Sequence, residues 1–567
     1  MPPEQPSQIA QHQSPITHHR CDVLVAGGSL VGMTTGLLLA HAGVRVIVVE
    51  HHRGTAIHPR AAQINQRTME ILRSVGIEQI VRDRSGEQFV QDGAIMAVDS
   101  LAGRELAHFV ANLNEGIRDV SPTERVFISQ SLLEPLLRSR AEELGADLRF
   151  ATDVVAFTQD VTGITATLRH RDTGDESVVR SQWMVAADGA HSRAREQLGI
   201  AMRGHGTFSR SVTIYFRADV TPLLRGRNLS VIYVNNPTLR GFFRFEKPFD
   251  SGFLAVNALG EPGSPITDVA TGLTEERARE LVHVALGSDQ VEVTIESMMP
   301  WNAAADVADR FRDGRVFLAG DSAHVMPPNG GFGGNTGIHD AHNLAWKFAM
   351  VLRGEADAAL LDTYEAERRP VGVFTTEQAY SRYVTRTAPY LGTDGMQPVA
   401  GDLDVELGYA YDSAAICGAS PPGHENPRDS RGRPGTRAPH VWVERRGERV
   451  STLDLCGPGF TLLAARDGGN WCAAARHAAS QAGAPVAIYQ VGQDVDDPDH
   501  AFGGAYGLGE VGAALVRPDG FVGWRSPGTA VLDAGRAEET IAAALRAMTG
   551  RSHTEARGGP ESVARRA

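Results

Sequence analysis

The sequence predicts an α/β protein: a doubly wound sheet interrupted by an inserted, largely antiparallel β-sheet, then a second, smaller α/β domain. Three observations predict it. Asp22 to Glu50 runs strand, glycine turn, helix, strand, which is how a parallel sheet with crossover helices opens. From about Met202 to Met299 the pattern becomes short alternating strands rich in aromatic residues. The α/β pattern returns at Arg315, and repeats on a smaller scale after a Pro/Gly/Asp-rich stretch.

The elements follow in order. Asp22-Val23-Leu24-Val25-Ala26 is a buried strand, Leu30 to His41 a helix, and Val44 to Glu50 a second strand ending in an acid. Gln130 to Leu144 is helical and stops at Gly145. Asp153 to Arg180 alternates like antiparallel hairpins, with Asp172-Thr173-Gly174-Asp175 as a turn, and Ser181 to Asp188 is a strand with an acid at its end. Ser211–Arg217, Leu229–Val234, Gly241–Phe245 and Gly252–Val256 are the strands of the insert. Val316-Phe317-Leu318-Ala319 is a short buried strand, and a helix is expected from about Thr336 to Val351. The last third reads as strands at Ser451–Asp454, Thr461–Ala464 and Pro485–Tyr489. A helix near Trp471–Ala482, a hairpin at Ala514–Trp524 and a final helix near Ala537–Met548 complete it. The expected boundaries are a disordered lead-in at 1–20, the first α/β part at 21–201 with 85–115 lending to the insert, and the insert at 202–300. The second α/β part is 301–390, a linker 391–437, the small domain 438–549 and a disordered tail 550–567.

Bulk properties restrict the function. A chain of 567 residues holds two to four domains. With 42% hydrophobic and 22% charged residues and a mean hydropathy of −0.20, it reads as globular. A net charge of −13 and pI near 5.9 argue against nucleic acid or an anionic membrane as partner. Lys247 and Lys347 are the two lysines, so the positive charge is nearly all arginine, as GC-rich codon usage gives. The four cysteines show no CxxC or CxxxxC, which excludes zinc ribbons and dithiol flavin reductases and suggests a reducing, cytoplasmic setting. Met1 to Arg20 lacks the apolar core of a signal peptide. Cys21 to Ala40 is apolar, but its glycines and strand–turn–helix pattern fit a buried βα unit rather than a membrane span. No metal-ligand spacing is present, and His324 and His339 read as packing residues.

The decisive stretch is Gly320-Asp321-Ser322-Ala323-His324-Val325-Met326-Pro327-Pro328-Asn329-Gly330-Gly331-Phe332-Gly333-Gly334-Asn335. Asp321 at a strand end can bond sugar or ribityl hydroxyls. Pro327 and Pro328 stiffen the backbone, and the four glycines let main chain approach a flat ligand. The next helix points its free N–H groups at that ligand, which suits a cofactor that becomes an anion.

Gly27-Gly28-Ser29-Leu30-Val31-Gly32 is a dinucleotide turn in which Ser29 replaces the middle glycine of GxGxxG and leaves slightly less room for the ligand. The amides from Ser29 to Gly32 would hold a pyrophosphate, and Glu50, 23 residues after Gly27, a ribose diol. Asp188-Gly189-Ala190-His191-Ser192-Arg193-Ala194-Arg195 ends a strand and starts a helix. Asp188 can accept loop N–H groups or bind cofactor through water, Ser192 can cap, and Arg195 can fix the segment or meet a phosphate. Arg60, in Ile57-His58-Pro59-Arg60-Ala61, is a candidate for pyrophosphate or for a nicotinamide dinucleotide. Gln130 at a helix start could bond adenosine or ribityl hydroxyls. Of Tyr215, Phe216, Tyr233, Phe242, Phe243 and Phe245 on the insert, half face one side, where they could sandwich an aromatic substrate. Tyr215, Tyr233, Phe243 and Phe245 are the candidates for that role.

In this order and spacing, Gly27–Gly32, Glu50, Asp188–Arg195 and Gly320–Asn335 resemble the class A FAD-dependent aromatic monooxygenases of the para-hydroxybenzoate hydroxylase type, over roughly 22–370. Arg433–His440 and Ala514–Trp524 resemble the thioredoxin-like C-terminal domain of larger members. The wording His58-Pro59-Arg60 and Phe332-Gly333-Gly334-Asn335 is similar to the aromatic-polyketide hydroxylases. The resemblance implies a Rossmann-like FAD-binding domain with an inserted antiparallel substrate domain. It also implies NAD(P)H as donor without a second nucleotide domain, and O2 activated as a flavin C4a-hydroperoxide that hydroxylates a polycyclic phenol. It places Asp321 on the ribityl chain and Pro328 against the flavin. The Gly331, Gly333, Gly334 and Asn335 backbone would lie at the ring and oxygen site, with Arg60, Arg125 and Gln130 as further cofactor contacts. No tyrosine is placed by a motif as a catalytic base. Baeyer–Villiger insertion or epoxidation on the same fold, and a non-catalytic flavin-binding protein, are the alternatives. The C-terminal domain lacks CxxC, so no redox role is expected; it would serve a homodimer or brace the FAD domain.

Overall fold

The computed structural model describes residues 17–57, 62–257, 268–418, 423–526 and 533–551. A six-stranded sheet has the order Arg312–Asp313, Val316–Leu318, Trp183–Ala186, Val23–Ala26, Val46–Val49, Asp147–Arg149. Every neighbouring pair is parallel except the first. The four inner strands are buried along their length, as Val/Ile/Leu runs covered on both faces must be. Helix α1 (Leu30–His41) leaves Val23–Ala26 and lies close on Val46–Val49. A Cβ on Gly36 would stand 2.5 Å from Cγ2 of Val48, so only glycine allows this spacing. Helices α2 (Gln66–Ser74) and α3 (Gln130–Glu143) follow. The lead-in expected through Arg20 ends sooner: Thr17–Arg20 is an edge strand paired in parallel with Glu176–Ser181. The free edge of the hairpin supplies its partners, which nothing in Thr-His-His-Arg itself announces. The rest of the lead-in and residues 552–567 of the tail lie outside the described residues.

The insert is an eight-stranded sheet in the order His324–Val325, Thr294–Ala308, Met202–Arg217, Ser251–Asn257, Arg240–Glu246, Leu229–Asn235, Ala94–Val98, Glu105–Val110. Period-two alternation divides its side chains. Ile214, Phe216, Ile232, Phe243, Phe245 and Leu254 pack with α4 (Glu275–Leu286) as one core. Tyr215, Phe253, Phe242, Tyr233 and Phe109 form a run of ring contacts 5.8–6.0 Å apart on the opposite face.

Helix α5 (Gly333–Leu352) and helix α6 (Thr363–Arg386) carry the second α/β part. α5 is buried over most of its length, yet Asp340, Asn343 and Lys347 make a polar stripe on it. Their partners are on α6: Arg368 Nε bonds Asp340 at 2.7 Å, and Asn343 Nδ2 and Lys347 Nζ bond Glu367 at 2.7 and 2.8 Å. The stretch 391–437, expected as a linker, is packed: Val405, Glu406, Tyr409 and Tyr411 are buried. Large side chains anchor a chain whose prolines and glycines forbid long elements.

The C-terminal part has a four-stranded sheet, Val486–Gln490, Phe460–Ala464, Ala513–Val516, Val522–Arg525, with α7 (Gly469–Ala482) and α8 (Ala534–Met548). It shares one core with α5, in which Trp346 and Met350 join Phe460, Leu515 and Leu545. Two buried ion clusters cross the same junction. Arg517 binds Glu367 at 2.6 and 2.9 Å and Asp519 at 2.5 Å, and Arg437 pairs with Glu70 of α2. Among the described residues no helix is long and apolar enough to cross a membrane.

Candidate active site

The glycine turn at the start of α1 is built by contact. Gly27 has φ +96°, and its Cβ would lie 2.2 Å from the carbonyl oxygen of Ala187; a Cβ on Gly32 would lie 1.8 Å from that of Gly27. Ser29 caps α1 in extended conformation, with no side-chain bond to the helix amides and no acid in the first turn. Its hydroxyl donates instead to Glu134 at 2.7 Å and accepts from Gln130 Nε2 at 2.8 Å. The side chain is thus drawn off toward α3, and the expected crowding by Ser29 is not what the geometry shows. Glu134 was not anticipated; it also accepts the N–H of Ala56 at 2.6 Å. Glu50 ends its strand as expected, its carboxylate accepting the N–H groups of Gly28 at 2.7 Å and His52 at 2.8 Å. Glu50, His51 and His52 bring three potential ligand atoms within 4.8 Å, with one N–H bond already on each Glu50 oxygen.

Two strand-end loops meet beside this turn. Ser322 is their hub: its hydroxyl donates to Asp188 at 3.0 Å and accepts the N–H of Gly189 at 3.2 Å, and its carbonyl accepts from Arg195 at 3.1 Å. Arg195 also donates to the Ala190 carbonyl at 2.8 Å, and Ser192 caps the short helix through the N–H of Arg195. Arg195 therefore fixes the segment. From below, Asp340 accepts the Gly320 N–H at 3.1 Å and His324 Nε2 at 2.7 Å. Burial opposes ionisation of Asp340, but His324 and Arg368 outweigh it and hold its carboxyl below the usual range. His339 is buried between Thr68 and Tyr409, and burial together with Arg368 and Arg67 keeps its ring neutral.

The loop ahead of α5 turns through Gly330 and Gly331, at φ +97° and +67°, with the Gly331 N–H on the Pro328 carbonyl at 2.9 Å. Asp321 and Pro328 are exposed, while Pro327 and Asn329 are buried. The Asn335 side chain is fully used. Its Oδ1 accepts the Asn65 N–H at 2.9 Å and the Thr68 hydroxyl at 2.7 Å; its Nδ2 donates to the carbonyls of Gln63 at 2.8 Å and Gly331 at 2.7 Å. What remains toward the loop is backbone. The N-terminus of α5 has no side-chain cap and no acid in its first turn. A Cβ on Gly333 would meet nothing closer than Cγ of Met326 at 3.5 Å, so packing does not require that glycine. Two uncapped helix starts, an open glycine and a strand-end acid fit an elongated anionic cofactor with a flat ring at one end.

Other predicted residues fall differently. Arg60 lies outside the described residues. Arg125 is buried in an ion pair with Glu406, 2.5 Å at Nη2, and donates to the Leu113 carbonyl at 2.6 Å, so its charge is already matched. Gln130 stands beside the α1 turn through Ser29 and Glu134. Tyr215 and Tyr233 lie on the face of the insert opposite α4, whereas Phe243 and Phe245 belong to the core with α4. Those two phenylalanines are therefore corrected to packing residues, because α4 covers their side of the pleat. A cavity of about 530 Å3 opens beside Tyr215, between Gln88, Leu132, Glu246 and Ser297.

Comparison with known proteins matches residues 20–379 to the FAD binding domain family and residues 431–552 to the aromatic-ring hydroxylase C-terminal family. The chain is 52% identical to 4-methyl-5-nitrocatechol 5-monooxygenase of a Burkholderia species, covering 91% of this chain and 97% of the relative. It is 40% identical to tetracenomycin A2 monooxygenase-dioxygenase of Streptomyces glaucescens, covering 89% and 93%. Among solved structures, aklavinone-11 hydroxylase in ternary complex with FAD and aklavinone superposes with a TM-score of 0.86 at 37% identity, over 94% of this chain and 99% of that one. The matched domains, the near-complete coverage and the two uncapped helix starts agree: this chain belongs to the class A FAD-dependent aromatic monooxygenases.

Proposed function

We propose that the protein hydroxylates a polycyclic, polyketide-type phenol, using FAD, NAD(P)H and O2. The observation that carries this reading is the glycine-rich stretch from Pro327 to Asn335, placed ahead of an uncapped α5 and anchored by the Asn335 side chain, whose bonds go to Gln63 and Gly331. When bound, FAD takes electrons from NAD(P)H and supplies the O2-derived oxygen atom; the chain does the rest. The amides of Ser29 to Gly32 would receive the pyrophosphate, and Glu50, already tied to the turn, would hold a ribose diol. Asp321 would bond the ribityl chain, Pro328 would lie against the ring, and the Gly333, Gly334 and Asn335 amides would stabilise negative charge there. Tyr215 and Tyr233, with Phe242 and Phe253, form the apolar wall that orients the substrate ring and excludes water.

A thioredoxin-like reading of the C-terminal part is supported by its topology. A parallel strand pair spanned by α7 continues into an antiparallel hairpin and a last helix. Burial pushes the Cys456 thiol up to about 12 and raises that of Cys472, which fits a bracing rather than a redox role. A second reading, a monocyclic acidic phenol as substrate, is favoured by the 52% identity to the nitrocatechol enzyme. NADPH oxidation by the FAD-loaded protein, with tri- and tetracyclic phenols and with nitrocatechols, separates the two. Stimulation by the polycyclic set alone supports the first, by the nitrocatechols alone the second, and by neither removes both.

A further inference from the structure

Arg244 lies in the strand Arg240–Glu246, on the face that carries Phe242, opposite Phe253 of the next strand. It is 5% exposed. Its guanidinium stands 3.7 Å from the ring centroid of Phe127 and 5.0 Å from that of Phe89. Its hydrogen bonding is poor: Nε reaches the Ser230 carbonyl at 3.4 Å, and neither terminal nitrogen has a partner among the described residues. Other deeply buried arginines are matched by acids: Arg125 by Glu406, Arg368 by Asp340, Arg437 by Glu70 and Arg517 by Glu367. No carboxylate among the described residues pairs with Arg244. Burial pushes its pKa down to about 9, which leaves it cationic at neutral pH.

Its place ties it to the site. Phe127 pairs with Gln63 in a two-stranded ladder. The Gln63 carbonyl accepts from Asn335 Nδ2, and the Gln63 side chain fills the space a Cβ on Gly331 would need. Arg244 thus sits on the face of the insert opposite α4, one ring away from the strand that supports the Gly330–Asn335 loop. A guanidinium stacked on Phe127 offers its in-plane N–H donors to a planar group beside it.

We infer that Arg244 is a substrate-binding residue that pairs with an ionised oxygen on the aromatic ring, so that the protein selects acidic phenols bound as their anions. The inference rests on the aromatic-monooxygenase reading and names the charge state of its substrate. The cation, without an acidic partner among the described residues, gains its counter-ion only when substrate arrives, and the two phenyl faces hold the guanidinium until then.

The test uses the FAD-loaded full chain with 4-nitrocatechol, an anion at neutral pH, and catechol, which is neutral there. Binding is read by the absorbance of the nitrocatecholate and of the flavin, and turnover by NADPH oxidation. Arg244→Met should raise the Kd for 4-nitrocatechol by about 10- to 100-fold and change that for catechol by less than about threefold. Arg244→Lys should recover part of the loss, and its effect should fall on KM more than on kcat. Equal losses for both ligands, or no loss for either, overturn the inference and leave Arg244 a packing residue. If the methionine variant does not fold, the lysine variant and the wild type decide: wild type binding 4-nitrocatechol no more tightly than catechol also overturns it. Ligand binding without NADPH oxidation by any phenol would remove the enzymatic reading alone, and the contrast in Kd would stand.

Discussion

Replacing Asn335 by alanine removes four hydrogen bonds at one buried point. The Thr68 hydroxyl can still turn to His339 at 3.2 Å, which leaves the Asn65 N–H and the Gln63 and Gly331 carbonyls without their partner. At about 1 kcal/mol net per bond the loss is about 3 kcal/mol, rising to about 5 kcal/mol if the space stays dry. That is a large part of a typical folding free energy of about 5–15 kcal/mol. The same bonds anchor the loop to the Gln63 strand, so FAD affinity should fall about tenfold even though the backbone amides remain. Asn335→Asp should be worse than alanine, because it sets a carboxylate against two carbonyl oxygens. Urea unfolding followed by circular dichroism, with equilibrium dialysis of FAD, measures both effects. An aspartate variant as stable as wild type would refute the bonding scheme. So would an alanine variant that loses less than about 0.5 kcal/mol with unchanged FAD affinity.

Four further outcomes are expected. Gly333→Ala should leave apoprotein stability unchanged and weaken FAD binding, since its Cβ meets only Met326 at 3.5 Å. Gly337→Ala should impair folding itself, since its Cβ would stand 2.4 Å from Val31 and 3.0 Å from the Gly320 Cα; thermal unfolding with and without FAD distinguishes them. Glu50→Gln should keep the fold, because an amide oxygen can still accept one N–H, and weaken FAD by about tenfold in dialysis. Burial opposes ionisation of Glu367, but Arg517 and Lys347 outweigh it and hold its carboxyl far below the ordinary 4.5. Its contribution is complete above pH 4.5 and is lost as pH falls toward the depressed value. Glu367→Gln should therefore cost about 3–5 kcal/mol at neutral pH and flatten the acid limb of the stability profile; parallel limbs would contradict this.

Much of the site was legible because its signals are local. Glu50 follows from the length of one βαβ unit, and the Gly320–Asn335 loop from its prolines, glycines and the helix behind it. What escaped depends on residues distant in the chain. The role of Ser29 is set by Glu134, 105 residues away, and that of Arg125 by Glu406, 281 residues away. Alternation sorted the aromatic residues of the insert into two faces but could not say which one α4 covers, so Phe243 and Phe245 were placed on the wrong side. Arg244 lies between them in the chain, and a missing counter-ion has no sequence signature. The stripe Asp340, Asn343, Lys347 on an otherwise apolar helix was a readable sign of a buried polar seam.

The ion clusters at the C-terminal junction restrict how this protein can be recombined. Arg517 and Arg437 enter from one side, Glu367 and Glu70 from the other, and both pairs are closed off from water. A chimera whose last segment comes from a chain without arginines at these two places keeps Glu367 and Glu70 without their guanidinium groups, and the converse exchange leaves the guanidinium groups without their acids. Each mismatch would bury an uncompensated charge at about 3–5 kcal/mol. Compatible crossover points should therefore lie upstream of Glu70 or keep all four residues, and any shuffled library should be depleted of clones that split them.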